Sequence, residues 1–272
     1  MMQNLIVVPA RLANHTTIFM TSINIGVADY GMSVWEGGCF DLEARLHELR
    51  EAGFCGVEKL AANDAPDLVQ RAAICRRAGM HFSTCHAPNP ELLVQWAAAL
   101  GKEYVWMTPT AGNRQTPLEM YFRRCQLFSR ACRRWNLTAS LHNHLGARIE
   151  SQQEVEDFLE ACPDAGLILD TGHLSVAGGD PVEVIRRYHR RLSVLHVKDV
   201  FLTGEKDASG REGFRFCELG AGNNGFSHGP VLEELVRVGW SGWVYVEHDR
   251  HLREPMLDLK VSLGLIRSVL GR

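Results

Sequence analysis

The stretch that decides the fold is Leu167-Ile-Leu-Asp170-Thr-Gly-His173, followed by Asp180-Pro181-Val-Glu-Val-Ile-Arg-Arg-Tyr-His189 and Leu192-Ser-Val-Leu-His196-Val-Lys198. A short, nearly unbroken apolar run ends in an acid. A capping aspartate and a proline then open a helix-like segment, and a second apolar run follows. Strands buried on both faces read as continuous apolar runs, and proline after an N-cap residue marks a helix start. This is one strand–helix–strand unit of a parallel sheet.

The rhythm extends along the chain. Strands are expected at 22–27, 56–60, 81–86, 104–108, 138–142, 167–170, 192–198 and 242–247. Helices are expected at 41–52, 66–78, 90–100, 117–135, 151–161, 181–189, 231–238 and 257–269. Asn89-Pro90, Thr116-Pro117 and the capping-box pattern Ser151-Gln-Gln-Glu154 mark helix starts, and Gly53 and Gly79 mark helix ends. Eight alternating pairs predict a single α/β domain, a (β/α)8 TIM barrel over 21–272, with 1–20 as an N-terminal arm. A doubly wound open sheet competes, but the glycine-rich turn it normally carries after its first strand is missing. The stretch 200–230, rich in Gly, Asn and charge, reads as a long functional loop.

Composition narrows the function. Of 272 residues, 29 are Lys or Arg and 32 are Asp or Glu, a net charge of −3. Phosphate neutralisation drives non-specific nucleic-acid binding, so this balance argues against such a partner. No apolar run reaches the roughly 20 residues of a membrane helix, and no basic-then-apolar leader opens the chain, so no membrane association is expected. The eight cysteines are scattered without a Cys-x-x-Cys, as in a cytoplasmic protein with reduced thiols.

Barrel active sites form at the C-terminal ends of the strands. Glu58, His86, His142, Asp170, His196 and Glu247 stand at or near those ends, with His144 and His173 just beyond. Side chains alternate along a strand, so His142 pairs in direction with His144, and His196 with Lys198, while Asp199 points away. His142, Asp170, His196 and Glu247 would converge on one point. Two imidazoles and two carboxylates suit Mn²⁺, Co²⁺, Mg²⁺ or Zn²⁺. Each residue also has a plainer reading: Asp170 could cap a turn, Glu247 could join a surface charge cluster, and Lys198-Asp199 could be a solvated pair. Trp35, Trp106 and Trp243 read as packing residues, with Trp35 also able to line a pocket.

Asp170-Thr-Gly-His173, Ala177-Gly-Gly-Asp-Pro181, His196-Val-Lys-Asp199, Glu218-Leu-Gly-Ala-Gly222 and Val246-Glu-His-Asp249 resemble the xylose-isomerase-like sugar phosphate isomerase/epimerase superfamily, nearest to its myo-inosose dehydratase branch. The resemblance implies a TIM barrel holding a divalent metal through Glu, Asp, His and a second Glu. The last three correspond to Asp170, His196 and Glu247. Where the family has its first glutamate, this chain has His142, followed by Asn143 and His144, and Glu150 is a weaker substitute. Without that glutamate, a symmetric two-carboxylate epimerase is disfavoured. The expected activity is a metal-dependent isomerase, epimerase or dehydratase that removes a proton next to the carbonyl of a small sugar, keto-sugar or cyclitol. In it Glu247, His173 and Lys198 would be catalytic, Glu58, His86 and His144 would contact substrate, and a homodimer is admitted but not required. The alternatives are a non-catalytic sugar- or partner-binding barrel and, more remotely, an endonuclease of the same superfamily.

Overall fold

The computed structural model describes residues 8–9, 20–28, 41–107, 114–206, 212–249 and 253–271. Two short strands, β1 (Val8–Pro9) and β2 (Met20–Thr21), pair antiparallel. The remainder of the expected arm, and Trp35 and Thr108, lie outside the described residues.

Eight strands follow the expected rhythm: β3 (Ile23–Val27), β4 (Gly56–Ala61), β5 (His81–His86), β6 (Tyr104–Trp106), β7 (Thr138–His142), β8 (Gly166–Asp170), β9 (Leu192–Val197) and β12 (Gly242–Val246). They are hydrogen-bonded in the order β5-β4-β3-β12-β9-β8-β7-β6, with every pairing parallel. The β3–β12 pairing joins the first of these strands to the last, so the sheet curls into a nearly closed barrel. Side chains bridge the β5/β6 seam: Thr84 Oγ1 donates to the Tyr104 carbonyl (2.8 Å) and Lys102 Nζ to that of Phe82 (2.7 Å).

Helices over Leu42–Ala52, Ala65–Ala78, Pro90–Ala99, Leu118–Arg133, Gln152–Ala161, Pro181–Tyr188, His228–Arg237 and Pro255–Val269 alternate with these strands. Their local signals act as read. Asn89 Oδ1 accepts from Leu92 N (2.9 Å), Asp180 Oδ1 from Val182 N (2.8 Å), and both halves of the Ser151–Glu154 capping box form. Gly53 and Gly79 close their helices at φ 107° and 66°, which a side chain at those positions would disfavour.

Apolar side chains fill two spaces. The larger core lies between sheet and helices, and includes Leu46, Leu49, Val105, Phe158, Leu195 and Ile266. A smaller one fills the barrel itself, where Tyr104, Ile168, Val194 and Tyr245 pack with Trp106 and Trp243. Burying such side chains stabilises by about 1.5–3 kcal/mol each.

Two elements depart from expectation. The stretch 200–230 is not one irregular loop: β10 (Asp199–Lys206) and β11 (Glu212–Cys217) form an antiparallel hairpin that follows β9 directly. A short helix, Thr171–Val176, is inserted immediately after β8. Among the described residues, no helix is long and apolar enough to cross a membrane.

Candidate active site

The strand order sets the site. β7, β8, β9 and β12 are consecutive neighbours, and in register Asp170 lies beside His196, and His196 beside Tyr245. His142 ends β7, Asp170 ends β8, His196 lies near the end of β9, and Glu247 follows β12. One ligand-type atom from each of these four lies within 4.8 Å of every other. All but His142 are buried, and His142 is half-buried.

The cluster is held in place from several sides. Asp170 divides its carboxylate: Oδ1 accepts from His173 N (2.8 Å), capping the short helix, and Oδ2 faces the cluster, 3.4 Å from His142 Nε2. Capping and the metal-type cluster are thus two uses of one side chain. Asn143, which the sequence reading passed over, fixes the Asp170 backbone: its Nδ2 donates to the carbonyl (3.0 Å) and its Oδ1 accepts from the amide (2.8 Å). Thr171 Oγ1 donates to the His196 carbonyl (3.0 Å) and contacts His228 Nε2 (2.9 Å). Behind it, His228 Nδ1 stands 3.2 Å from Asp199 Oδ1, and Asp199 Oδ2 accepts from Gly220 N (2.7 Å).

Lys198 is fully buried with its Nζ 3.1 Å from Asp170 Oδ2, 3.3 Å from Glu247 Oε2 and 3.4 Å from Asp249 Oδ1. The solvated-pair reading of Lys198-Asp199 therefore fails for both residues, which are buried on opposite sides of the strand. Gly172 makes room for the lysine, because a Cβ there would collide with Lys198 Cγ.

These contacts shape the titration behaviour. Burial alone would depress the His196 imidazole, but the Glu58 and Glu247 carboxylates hold it up, at about 10. Burial would raise Asp170 and Glu247, yet Lys198 and the neighbouring imidazoles keep both well below the usual carboxylate range. His173 is pushed down to about 3, chiefly by burial and also by Lys198, although Asp170 opposes the shift. It is neutral at pH 7.

Above the cluster opens a cleft of about 520 Å³, lined by Lys59, Trp106, His142, His144, Leu145, His173, Phe214, Phe216, Glu247 and Asp249. Trp106 lies against His142 (ring centroids 4.6 Å apart) and Phe216 against His173 (4.9 Å). The His144 and His173 rings lie 3.8 Å apart between centroids, tilted by 43°, and His144 Nδ1 meets the Leu145 carbonyl at 2.7 Å. Trp106 is thus more than packing, and the Phe214 and Phe216 wall, supplied by the hairpin, was missed. Its signal was the alternation Phe214-Arg215-Phe216.

Two of the expected substrate contacts lie outside the described lining of the cleft. His86 is exposed at the end of β5 and does not line the cleft. Glu58 is fully buried beneath it, where its Oε1 accepts from Tyr104 Oη (2.9 Å) and Trp106 Nε1 (2.8 Å), and it has no face to a substrate. Glu150 lies away from the cluster, accepting from Gly146 N (2.7 Å).

A nearly closed parallel barrel with His, Asp, His and Glu gathered at the C-terminal ends of adjacent strands defines a class of strand-end metal-type sites on a TIM barrel. Residues 46–269 match the model of the xylose isomerase-like TIM barrel family, and the chain belongs to that family. It is similar to the rhizopine catabolism protein MocC of Rhizobium meliloti, at 29% identity over 53% of this chain and 47% of that protein. It is also similar to the inosose dehydratase of Lacticaseibacillus casei, at 30% identity over 40% of this chain and 39% of that enzyme. The chain thus spans less than half the length of these relatives. Among solved structures, that of an L-ribulose 3-epimerase superimposes with a TM-score of 0.71 at 17% identity, covering 92% of this chain and 95% of the other; that likeness concerns the fold.

Proposed function

We propose that this protein is a divalent-metal-dependent lyase or isomerase that removes a proton next to the carbonyl of a small neutral keto-sugar or cyclitol. The observation that carries this reading is the convergence of His142, Asp170, His196 and Glu247 beneath the cleft. The donor set fits a cation: two imidazole nitrogens and two carboxylates, mostly buried, of the mixed N/O character that suits Mn²⁺, Co²⁺ or Zn²⁺, with Mg²⁺ the hardest of the candidates. When bound, the cation supplies Lewis-acid polarisation of a carbonyl and an adjacent hydroxyl oxygen.

The side chains around it divide the remaining work. Lys198, kept cationic by its carboxylate neighbours, lies buried beneath the cleft floor, from where its charge stabilises negative charge developing on a substrate oxygen. His173, neutral and with Lys198 Nζ 3.4 Å from its Nε2, lines the cleft and serves as a proton donor or acceptor to substrate. Glu247 is the carboxylate at the cleft floor that takes the proton from carbon, and His144 contacts substrate at the rim. Trp106, Phe214 and Phe216 give the C–H face of a ring an apolar wall. Among the described lining residues Lys59 is the one ammonium, set against Glu247 and Asp249, and this favours a neutral polyol over a phosphorylated one.

With His142 where two-carboxylate epimerases have a glutamate, the site is unsymmetrical. Removal of the proton on one side, followed by loss of a β-hydroxyl as water, suits it better than exchange across two faces. The similarity to inosose dehydratase points the same way. The test is proton NMR in D₂O of an inosose, a ketohexose and a ketopentose incubated with the Mn²⁺-loaded protein. The signal next to the carbonyl should disappear from at least one, with the inosose losing water, and EDTA should stop the reaction. Metal-loaded protein that exchanges no such proton in any of the three would refute the proposal.

A further inference from the structure

We propose that Glu58 is a positioning residue: it accepts the Nε2 proton of His196 and thereby commits Nδ1 of that ring to the cation. The inference rests on the reading that the cluster holds a metal, and it concerns a side chain outside that cluster.

A carboxylate with no exposure, lying beneath the cleft and out of reach of a substrate, needs a reason to be there. Its two oxygens face different ways. Oε1 accepts from Tyr104 Oη and Trp106 Nε1, at 2.9 and 2.8 Å, both on β6, so the carboxylate cannot rotate freely. Oε2 stands 3.0 Å from His196 Nε2, an ion-pair contact outside hydrogen-bond alignment, and neither of these two buried atoms makes a hydrogen bond to any other group. The other nitrogen of the ring, Nδ1, is 2.6 Å from Glu247 Oε2 and 3.9 Å from Asp170 Oδ2, so it is the one that belongs to the cluster.

A neutral imidazole carries one N–H, and a nitrogen that binds a metal must be the bare one. His196 must therefore be protonated at Nε2 to bind through Nδ1. An ionised carboxylate only accepts, so Glu58 selects that tautomer, and the Tyr104 and Trp106 bonds hold it in register. Trp106 also lies against His142, which ties the same support to a second member of the cluster.

Glu58→Gln separates this role from simple filling of space. The glutamine has the same shape, and its oxygen must stay with the two β6 donors. Its NH₂ then faces Nε2, which must become an acceptor, and the proton moves to Nδ1, where it blocks ligation. Removing a partner of this kind costs roughly 10–100-fold in metal affinity.

The experiment is calorimetric titration of Mn²⁺ into metal-stripped wild type, Glu58→Gln and Tyr104→Phe, with circular dichroism to confirm folding. It is paired with proton and ¹⁵N NMR of the imidazoles in the Zn²⁺-loaded proteins. Expected are one Mn²⁺ per wild-type chain, affinity weaker by about 10–100-fold in Glu58→Gln, and a protected His196 Nε2–H signal that the glutamine variant lacks. Equal Mn²⁺ affinity in Glu58→Gln, or a Zn²⁺-loaded wild type whose His196 bears no Nε2 proton, overturns the inference alone. Wild type that binds no Mn²⁺ overturns the metal reading and this inference with it. Should Glu58→Gln not fold, Tyr104→Phe must still weaken Mn²⁺ binding measurably, and unchanged binding there overturns the role.

Discussion

Lys198→Met tests the electrostatics of the site most sharply. The wild-type ammonium is fully buried within 3.4 Å of Asp170, Glu247 and Asp249 and 4.7 Å from the centre of the Phe216 ring. Burial alone would drive it neutral, but the three carboxylates raise it above the ordinary lysine value. Methionine keeps most of the stem's volume and removes the charge. Asp170 and Glu247 then face each other with only the His196 imidazolium between them. Breaking a buried ion pair by removing one partner costs about 3–5 kcal/mol. At roughly 2 °C per kcal/mol for a chain of this size, that corresponds to a fall of about 6–10 °C in Tm. A divalent cation restores the missing positive charge, so Mn²⁺ should raise the Tm of Lys198→Met by more than it raises that of the wild type. Calorimetric melts of both proteins, metal-stripped and with Mn²⁺, supply the comparison. Metal-stripped Lys198→Met melting within about 2 °C of wild type, or an equal Mn²⁺ shift in both, would refute the reasoning.

Asp170→Asn removes a cluster oxygen's charge while keeping a side chain that caps the short helix equally well; it should abolish Mn²⁺ binding and turnover together without loss of folding, as calorimetry and the NMR exchange assay would register. His173→Gln should leave Mn²⁺ affinity nearly unchanged and lower turnover by roughly 10²–10³-fold, the cost of losing one donor at a developing charge; a parallel loss of metal affinity would contradict this. In the metal-free protein, His196 rises from 6.5 unfolded to about 10 folded, so its stabilising contribution is complete below pH 6.5 and fades as pH climbs towards 10. Asp170 and Glu247 are lowered from 3.8 and 4.5, so theirs is present above those values and is lost as pH falls further. His173 acts in the opposite sense: lowered from 6.5 to about 3, it contributes stability above pH 6.5 that fades as pH falls. Urea denaturation across pH should therefore show greatest stability near pH 6.5, and stability that grew from pH 6.5 to 10 would count against the buried pairs.

The sequence carried the barrel because its signals were local: apolar runs, Asn89 and Asp180 before prolines, the Ser151–Glu154 box, Gly53 and Gly79. Elements lacking such signals were lost. Thr171–Val176 is too short for a helical period to show, and glycine and charge hid the alternation of the β10–β11 hairpin. Within the site, strand-end position and alternation were enough to bring His142, Asp170, His196 and Glu247 together. Alternation says which face of a strand a side chain takes, not how deep it sits. Glu58 was therefore read as a substrate contact, although Tyr104, Trp106 and His196, all distant in the chain, draw it beneath the cleft. His86 is the opposite case, an exposed residue outside the described lining of the cleft. Lys198 and Asp199 looked like a surface pair because charge alone does not disclose the carboxylates and the histidine that receive them.

The central claim is that four side chains from adjacent strand ends share one cation. Anomalous diffraction from a crystal soaked in Mn²⁺ measures this directly. A single peak about 2.0–2.3 Å from one atom each of His142, Asp170, His196 and Glu247 is expected. A soaked crystal with no peak there, or with Mn²⁺ held only by other residues, would contradict it.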